Sequence, residues 1–112
     1  SYTSLFAANL SSAQLVGADL RNALLENSSL TNADISDANL TKANLYAAHL
    51  VRVSAIGTQL AYANLTKTDW QGADLSEAYL NYANLSDANL SATRLTGASL
   101  QSANLENANL RN

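Results

Sequence analysis

Leu5, Leu10, Leu15, Leu20, Leu25 and Leu30 open a spacing of five that runs to Leu110 without a slip of frame, and only Ile35, Ala55 and Trp70 interrupt the leucines. Two residues before each of these sites stands a small residue, usually alanine, and the residue between them is usually Asn, Asp or another polar type. A period of five fits neither regular element. On an α-helix five residues turn through about 500°, so the leucines would drift around the whole cylinder and build no apolar stripe. In a flat strand an odd period throws successive leucines onto opposite faces of a sheet. Alanine and the leucine two residues later do share one face of a short extended segment. The remaining solution is a brief extended stretch followed by a bend that always turns inward, which coils the chain into a solenoid. Leucine and alanine then fill the axis, and the other three positions of each unit face water.

In runs such as Ala38-Asn39-Leu40-Thr41-Lys42, Ala73-Asp74-Leu75-Ser76-Glu77 and Ala88-Asn89-Leu90-Ser91-Ala92, the chain closely resembles the pentapeptide-repeat family from end to end. The resemblance implies an all-β fold, a right-handed quadrilateral parallel β-helix with four pentapeptides per coil and the leucine as the central inward residue. Right-handedness agrees with the rule for parallel crossovers. Twenty residues per coil would give residues 1–112 about five and a half coils in a single domain, roughly 27 Å of solenoid at ~4.8 Å per layer. Residues twenty apart become stacked neighbours. One interior column then holds Leu10, Leu30, Leu50, Trp70, Leu90 and Leu110, and another holds Leu15, Ile35, Ala55, Leu75 and Leu95. Trp70 and Ala55 read as a compensating large and small pair in neighbouring coils. Val53, Thr58, Thr68 and Thr93 replace the small inward residue, so the middle coils are expected to depart most from the ideal repeat.

Composition narrows the function. A formal charge of -3 argues against a phosphate-binding surface, so no direct nucleic-acid binding is expected. No apolar run approaches ~18 residues, and no membrane contact or signal peptide is expected. The lack of cysteine removes disulfides, iron-sulfur centres and thiol catalysis. The sequence favours the cytoplasm over the periplasm or thylakoid lumen. It holds no methionine, so Ser1 is not an untouched translational start. With no terminal capping segment legible over Leu5 or Leu110, weak end-to-end homodimers are expected.

On the outside, stacking predicts ladders. Asn44, Asn64, Asn84 and Asn104 form a column whose amides can bond their copies or the turn backbone. Lys67 with Asp87, and Asp74 with Arg94, read as exposed ion pairs between coils, each worth ~0–1 kcal/mol. Ser29, His49 and Asp69 stack in the order of a hydrolase triad, but side chains projecting in parallel from a flat wall lack the convergence, cleft and oxyanion donors of a catalytic site. A His49–Asp69 contact is the expected outcome, and hydrolysis the least favoured function. Asp34 and Asp74, separated by Ser54, form no paired-carboxylate site. One histidine and scattered carboxylates make no metal site, and no cofactor is expected.

The leading reading is therefore a non-enzymatic structural or protein-interaction module. Its partner is an unidentified protein, and its contact residues are Tyr46, Val51, Ile56, Tyr62, Tyr79 and Tyr82. All six stand at positions where the fold has no need of large apolar side chains. The alternative is a DNA mimic that binds or protects a type II topoisomerase such as DNA gyrase, which the resemblance brings in and which the modest net charge opposes.

Overall fold

The computed structural model describes residues 2–112, which leaves Ser1 and the expectation attached to it outside the described residues. Each unit closes on a two-residue corner. The N–H of the small inward residue donates to the carbonyl of the central residue three before it, from Ala8 to Leu5 (3.0 Å) through Ala108 to Leu105 (3.0 Å). Every fifth residue from Ala7 to Asn107 has a positive φ, between 53° and 72°. A hydrogen-bonded four-residue turn with its third residue at positive φ is the type II arrangement. Only glycine adopts that region freely, and all four glycines of the chain, Gly17, Gly57, Gly72 and Gly97, occupy this one position.

Between corners the chain pairs with itself in parallel, each bridge joining residues twenty apart, from Ser4 with Leu24 to Asn89 with Asn109. The chain therefore returns to the same face every four units. Each extended stretch contributes one bridging residue, so the sheets are built of isolated rungs. The middle of the chain shows the full pattern. The Leu45 N–H donates to the Asn64 carbonyl at 2.8 Å, the Ala47 N–H to Thr66 at 2.9 Å, the Asn44 N–H to Ala23 at 2.9 Å, and the Ala48 N–H to Leu45 at 2.9 Å. Four of every five backbone donors are thus satisfied by backbone, as burial of a chain requires.

The interior is a column of leucine and alanine from Ala23 to Leu90, interrupted by Ser28, Ile35, Val53, Thr58, Thr68 and Trp70, with Ala55 at a leucine position. Each fully buried leucine contributes about 2 kcal/mol of apolar transfer energy. Leu5, Leu10, Leu15, Leu20, Leu95, Leu100 and Leu105 pack against this column half-buried, and Leu110 is 52% exposed. The molecule measures 33 × 24 × 22 Å, a short rod.

The threonines at inward positions do not loosen the wall as expected. Thr58 donates its hydroxyl to the Ile35 carbonyl at 2.8 Å and Thr93 to the Trp70 carbonyl at 3.0 Å, both in the preceding coil. Thr68 donates to the Leu65 carbonyl and accepts the Trp70 indole N–H at 2.8 Å. Trp70 is fully buried, so its N–H needs an acceptor inside, and Thr68 supplies it. The irregularity expected of the middle coils reduces to longer turn bonds: 3.3 Å from Thr58, Thr68 and Thr93, against 2.9–3.1 Å at the other inward residues. The register of twenty continues through them unbroken.

Candidate functional site

The fifth backbone donor of each unit, the N–H of the first corner residue, is where the surface becomes informative. At most corners an Asn or Asp two residues earlier accepts it through its side-chain oxygen. Asp34 receives Ser36 (3.0 Å), Asn39 receives Thr41 (3.0 Å), Asn64 receives Thr66 (3.1 Å) and Asn84 receives Ser86 (3.0 Å). This is the Asx turn, and it gives the polar position of the repeat its chemistry. The predicted Asn column uses both of its options. Asn44, Asn64, Asn84 and Asn104 all cap backbone, and Asn64 also donates to Asn44 at 3.0 Å.

The neighbouring face departs from this rule in two consecutive coils. Gln59 and Tyr79 replace the Asx residue, and the N–H groups of Ala61 and Asn81 have no acceptor among the described residues, as is also the case for Phe6, Val16, Glu26, Thr31, Val51, Ile56 and Thr96, none of which follows an Asx residue by two. The same two units carry Tyr62 and Tyr82 at the positive-φ position, with φ of 61° and 62°. A bulky side chain is unfavourable there. The two rings lie face to face, 4.9 Å between centroids and 3° from parallel, a separation set by the stacking of the coils. Tyr62, Tyr79 and Tyr82 are all more than half exposed. Beside them Ala61 forms the floor of a groove of about 370 Å³, lined by Thr41, Gln59, Tyr79 and Asn81. A larger concavity of about 620 Å³ lies against Asn107–Arg111 at the open end of the coil, where it gathers no set of converging groups.

The predicted contact residues thus fall into two groups. Tyr62, Tyr79 and Tyr82 come together at one corner. Tyr46, Val51 and Ile56 follow three different central residues, Leu45, Leu50 and Ala55, and so stand at three separate corners of one coil. Tyr46 is further engaged by Lys67, whose Nζ lies 5.8 Å from its ring centroid. That placement corrects the expected Lys67–Asp87 ion pair, which does not form among the described residues. The cation lies over an aromatic face instead. The Asp74–Arg94 pair is present at 3.6 Å, and a pair unforeseen from spacing, Asp19–Arg21, forms within one unit at 2.7 Å.

Ser29, His49 and Asp69 do stack on successive bridges, but the expected His49–Asp69 contact is absent among the described residues. Asp69 Oδ1 accepts the Gln71 N–H at 3.1 Å and the Asn89 amide at 3.0 Å, and Ser29 pairs with Ser11 at 2.9 Å. Capping the next turn draws the carboxylate away from the histidine. Three carboxyls are held below their ordinary value. Asp19 is lowered to about 2 by the hydrogen bonds of Arg21, Asp34 is lowered by Ser36, and Asp74 is lowered first by the Ser76 hydroxyl. Each loses hydrogen bonds on protonation. No cluster of metal-ligating side chains occurs among the described residues.

Sequence reasoning placed the three tyrosines but missed the open Ala61 and Asn81 donors beside them. The signal was legible as Gln59 and Tyr79 standing where the preceding coils of the same face carry Asp19 and Asn39.

Coiled parallel rungs around a leucine axis define a β-helical repeat protein. Residues 8–46, 38–75, 58–97 and 73–112 match the pattern of pentapeptide repeats, with 8 copies, and the chain belongs to the pentapeptide-repeat family. Its fold is accordingly the right-handed β-helix of that family. Among solved structures it is similar to the pentapeptide repeat protein Rfr23 of the cyanobacterium Cyanothece 51142, with 30% identity over 82% of this chain and 63% of that one and a TM-score of 0.80. It is similar to alr5209 of Nostoc PCC 7120, with 40% identity over 69% and 64% and a TM-score of 0.68. It is also similar to a pentapeptide repeat protein of the Arabidopsis thaliana thylakoid lumen, with 30% identity over 85% and 63% and a TM-score of 0.65. The match spans just under two thirds of each relative's length. No curated protein matches the chain in sequence. No helix among the described residues is long and apolar enough to cross a membrane.

Proposed function

We propose that this chain is a non-enzymatic interaction module, a quadrilateral solenoid of about five and a half coils that presents the Tyr62, Tyr79 and Tyr82 corner to another protein in the cytoplasm. The observation that supports it most is the stacked Tyr62–Tyr82 pair at two positive-φ positions. Neither ring contributes to the interior, and both occupy backbone that favours Gly or Asn. Bulky side chains at such positions with no return in the interior point to a surface kept for a partner. A tyrosine pair on a stiff wall offers large contact area at small entropy cost.

The topoisomerase reading gains nothing from the surface. The chain carries nine acidic residues against six basic, and each of the four faces mixes carboxylates with neutral or basic side chains or has none. Serine at Tyr62, Tyr79 and Tyr82 together should leave stability within about 1–2 kcal/mol and abolish capture of the partner that the wild-type chain retains from its source cells. Serine at Tyr46, Val51 and Ile56 is the matched control on scattered corners. Equal capture by the tyrosine variant and the wild type would end this reading. Fractionation against cytoplasmic and lumenal markers checks the compartment.

A further inference from the structure

The groove beside the tyrosines is rich in donors. At the regular corners an Asn or Asp oxygen takes the outward N–H, as Asn64 does for Thr66 at 3.1 Å. The N–H groups of Ala61 and Asn81, like those of Thr31 and Val51 on another face, have no such acceptor among the described residues; coil stacking sets the pair in the groove about 4.8 Å apart, and here further donors surround them. The Asn81 side chain adds to the same polarity. Its Oδ1 is occupied by the Ser99 hydroxyl and by the Gln101 N–H at 3.2 Å, which leaves its NH2 as the outward end. The hydroxyls of Thr41 and Tyr79 and the Gln59 amide can each donate into the groove, and no carboxylate lines it. Lys42, next to Thr41, is the charged residue adjoining this lining in sequence.

We propose that the groove over Ala61 binds the carboxylate of an aspartate in an extended segment of the partner protein. The carboxylate stands where the Asx oxygen stands in the other units, accepting from the Ala61 and Asn81 N–H groups, and the exposed Tyr79 ring covers the segment beside it. Hydrogen bonds from backbone donors to an ionised acceptor are among the stronger ones. The proposal rests on the reading of the tyrosine corner as a partner surface and names what that partner presents.

The test is an amide NMR titration of the labelled chain with acetyl-Ala-Asp-Ala-amide, with the corresponding Asn and Ala peptides, and with acetate alone. The Ala61 and Asn81 resonances should move downfield and saturate with the Asp peptide, saturate at severalfold higher concentration with the Asn peptide, and stay in place with the Ala peptide. Gln59→Asn returns an internal acceptor to the Ala61 N–H and should weaken the Asp peptide about fivefold or more, roughly the loss of one such hydrogen bond. Gln59→Ala removes the amide donor but returns no acceptor to the Ala61 N–H, and should weaken the Asp peptide less than Gln59→Asn does. Both substitutions are on the surface, and Asn39 and Asn64 occupy the equivalent position in the coil below and in the following unit. Unchanged affinity in Gln59→Asn, equal binding of the three peptides, or shifts centred on the Thr66 and Ser86 corners would overturn the site. Acetate saturating at the peptide's concentration would overturn the assignment to a peptide. Because the probe is synthetic and read at two backbone amides, its failure is distinct from failure of the capture assay on the three tyrosines.

Discussion

The face carrying Asn44, Asn64, Asn84 and Asn104 and the face carrying Asn39, Gln59, Tyr79 and Ser99 meet along one corner and cover the same leucine interior. On the first, all four asparagines accept the N–H two residues ahead. On the second, Asn39 does so, Gln59 and Tyr79 do not, and Gln101 is served across coils by Asn81. Both faces nevertheless keep the same register and the same central bonds, 2.8 Å from Leu45 to Asn64 and 2.7 Å from Leu60 to Tyr79. The interior and the turn carbonyls therefore hold the coil, while the Asx cap adds local stability that one face can give up. What that face presents in exchange is the tyrosine corner and its groove.

The largest expected effect tests the shared interior. Leu45→Asp places a charge without a partner at a site with no solvent exposure, and should unfold the chain or cost more than about 4 kcal/mol. Ser86→Asp, on the outside of the same wall, should be tolerated. Similar denaturant midpoints for the two would contradict the division into inside and outside. Next comes the buried polar pair. Thr68→Val leaves the Trp70 indole N–H without an acceptor and should cost about 1–3 kcal/mol, and little of that loss should remain in a Trp70→Phe background. A double-mutant cycle with no coupling would show that the hydrogen bond contributes nothing. A further cycle between Ala55→Leu and Trp70→Leu tests the expected exchange of volume, since overpacking at Ala55 should cost about 1–3 kcal/mol.

The sharpest comparison of the two faces is smaller. Asn64→Ala removes a cap and should cost about 1 kcal/mol, whereas Gln59→Ala removes none and should change little. Thermal melts that rank the two the other way would undo the contrast. The smallest effect is on pH. Asp19, Asp34 and Asp74 are depressed in the folded chain. Their contribution is complete above the unfolded carboxyl value of about 4 and is lost as pH falls through the folded values, toward about 2 for Asp19. The melting temperature should therefore decline between about pH 4 and 2. Asn at Asp34 and Asp74, which keeps the acceptor oxygen, should flatten that decline.

The spacing of five by itself determined the inward leucines, the small residues beside them and the coil in which Asn44 meets Asn64, because an odd period admits no other continuous burial of one side chain per unit. It also separated Tyr62, Tyr79 and Tyr82 from the fold's own needs. Side-chain direction on the outer wall was decided only in three dimensions. Residues twenty apart are neighbours, but a short carboxylate such as Asp69 meets a turn N–H closer than the histidine below it, and Lys67 reaches a ring before it reaches Asp87. The corner conformation was likewise written in the four glycines, yet it became readable only when every fifth residue proved to lie at positive φ. Sequence specifies which residues stack. Competition among nearby donors and acceptors, settled by the folded backbone, decides which of them touch, and it leaves Ala61 and Asn81 with their N–H groups turned toward whatever comes from outside.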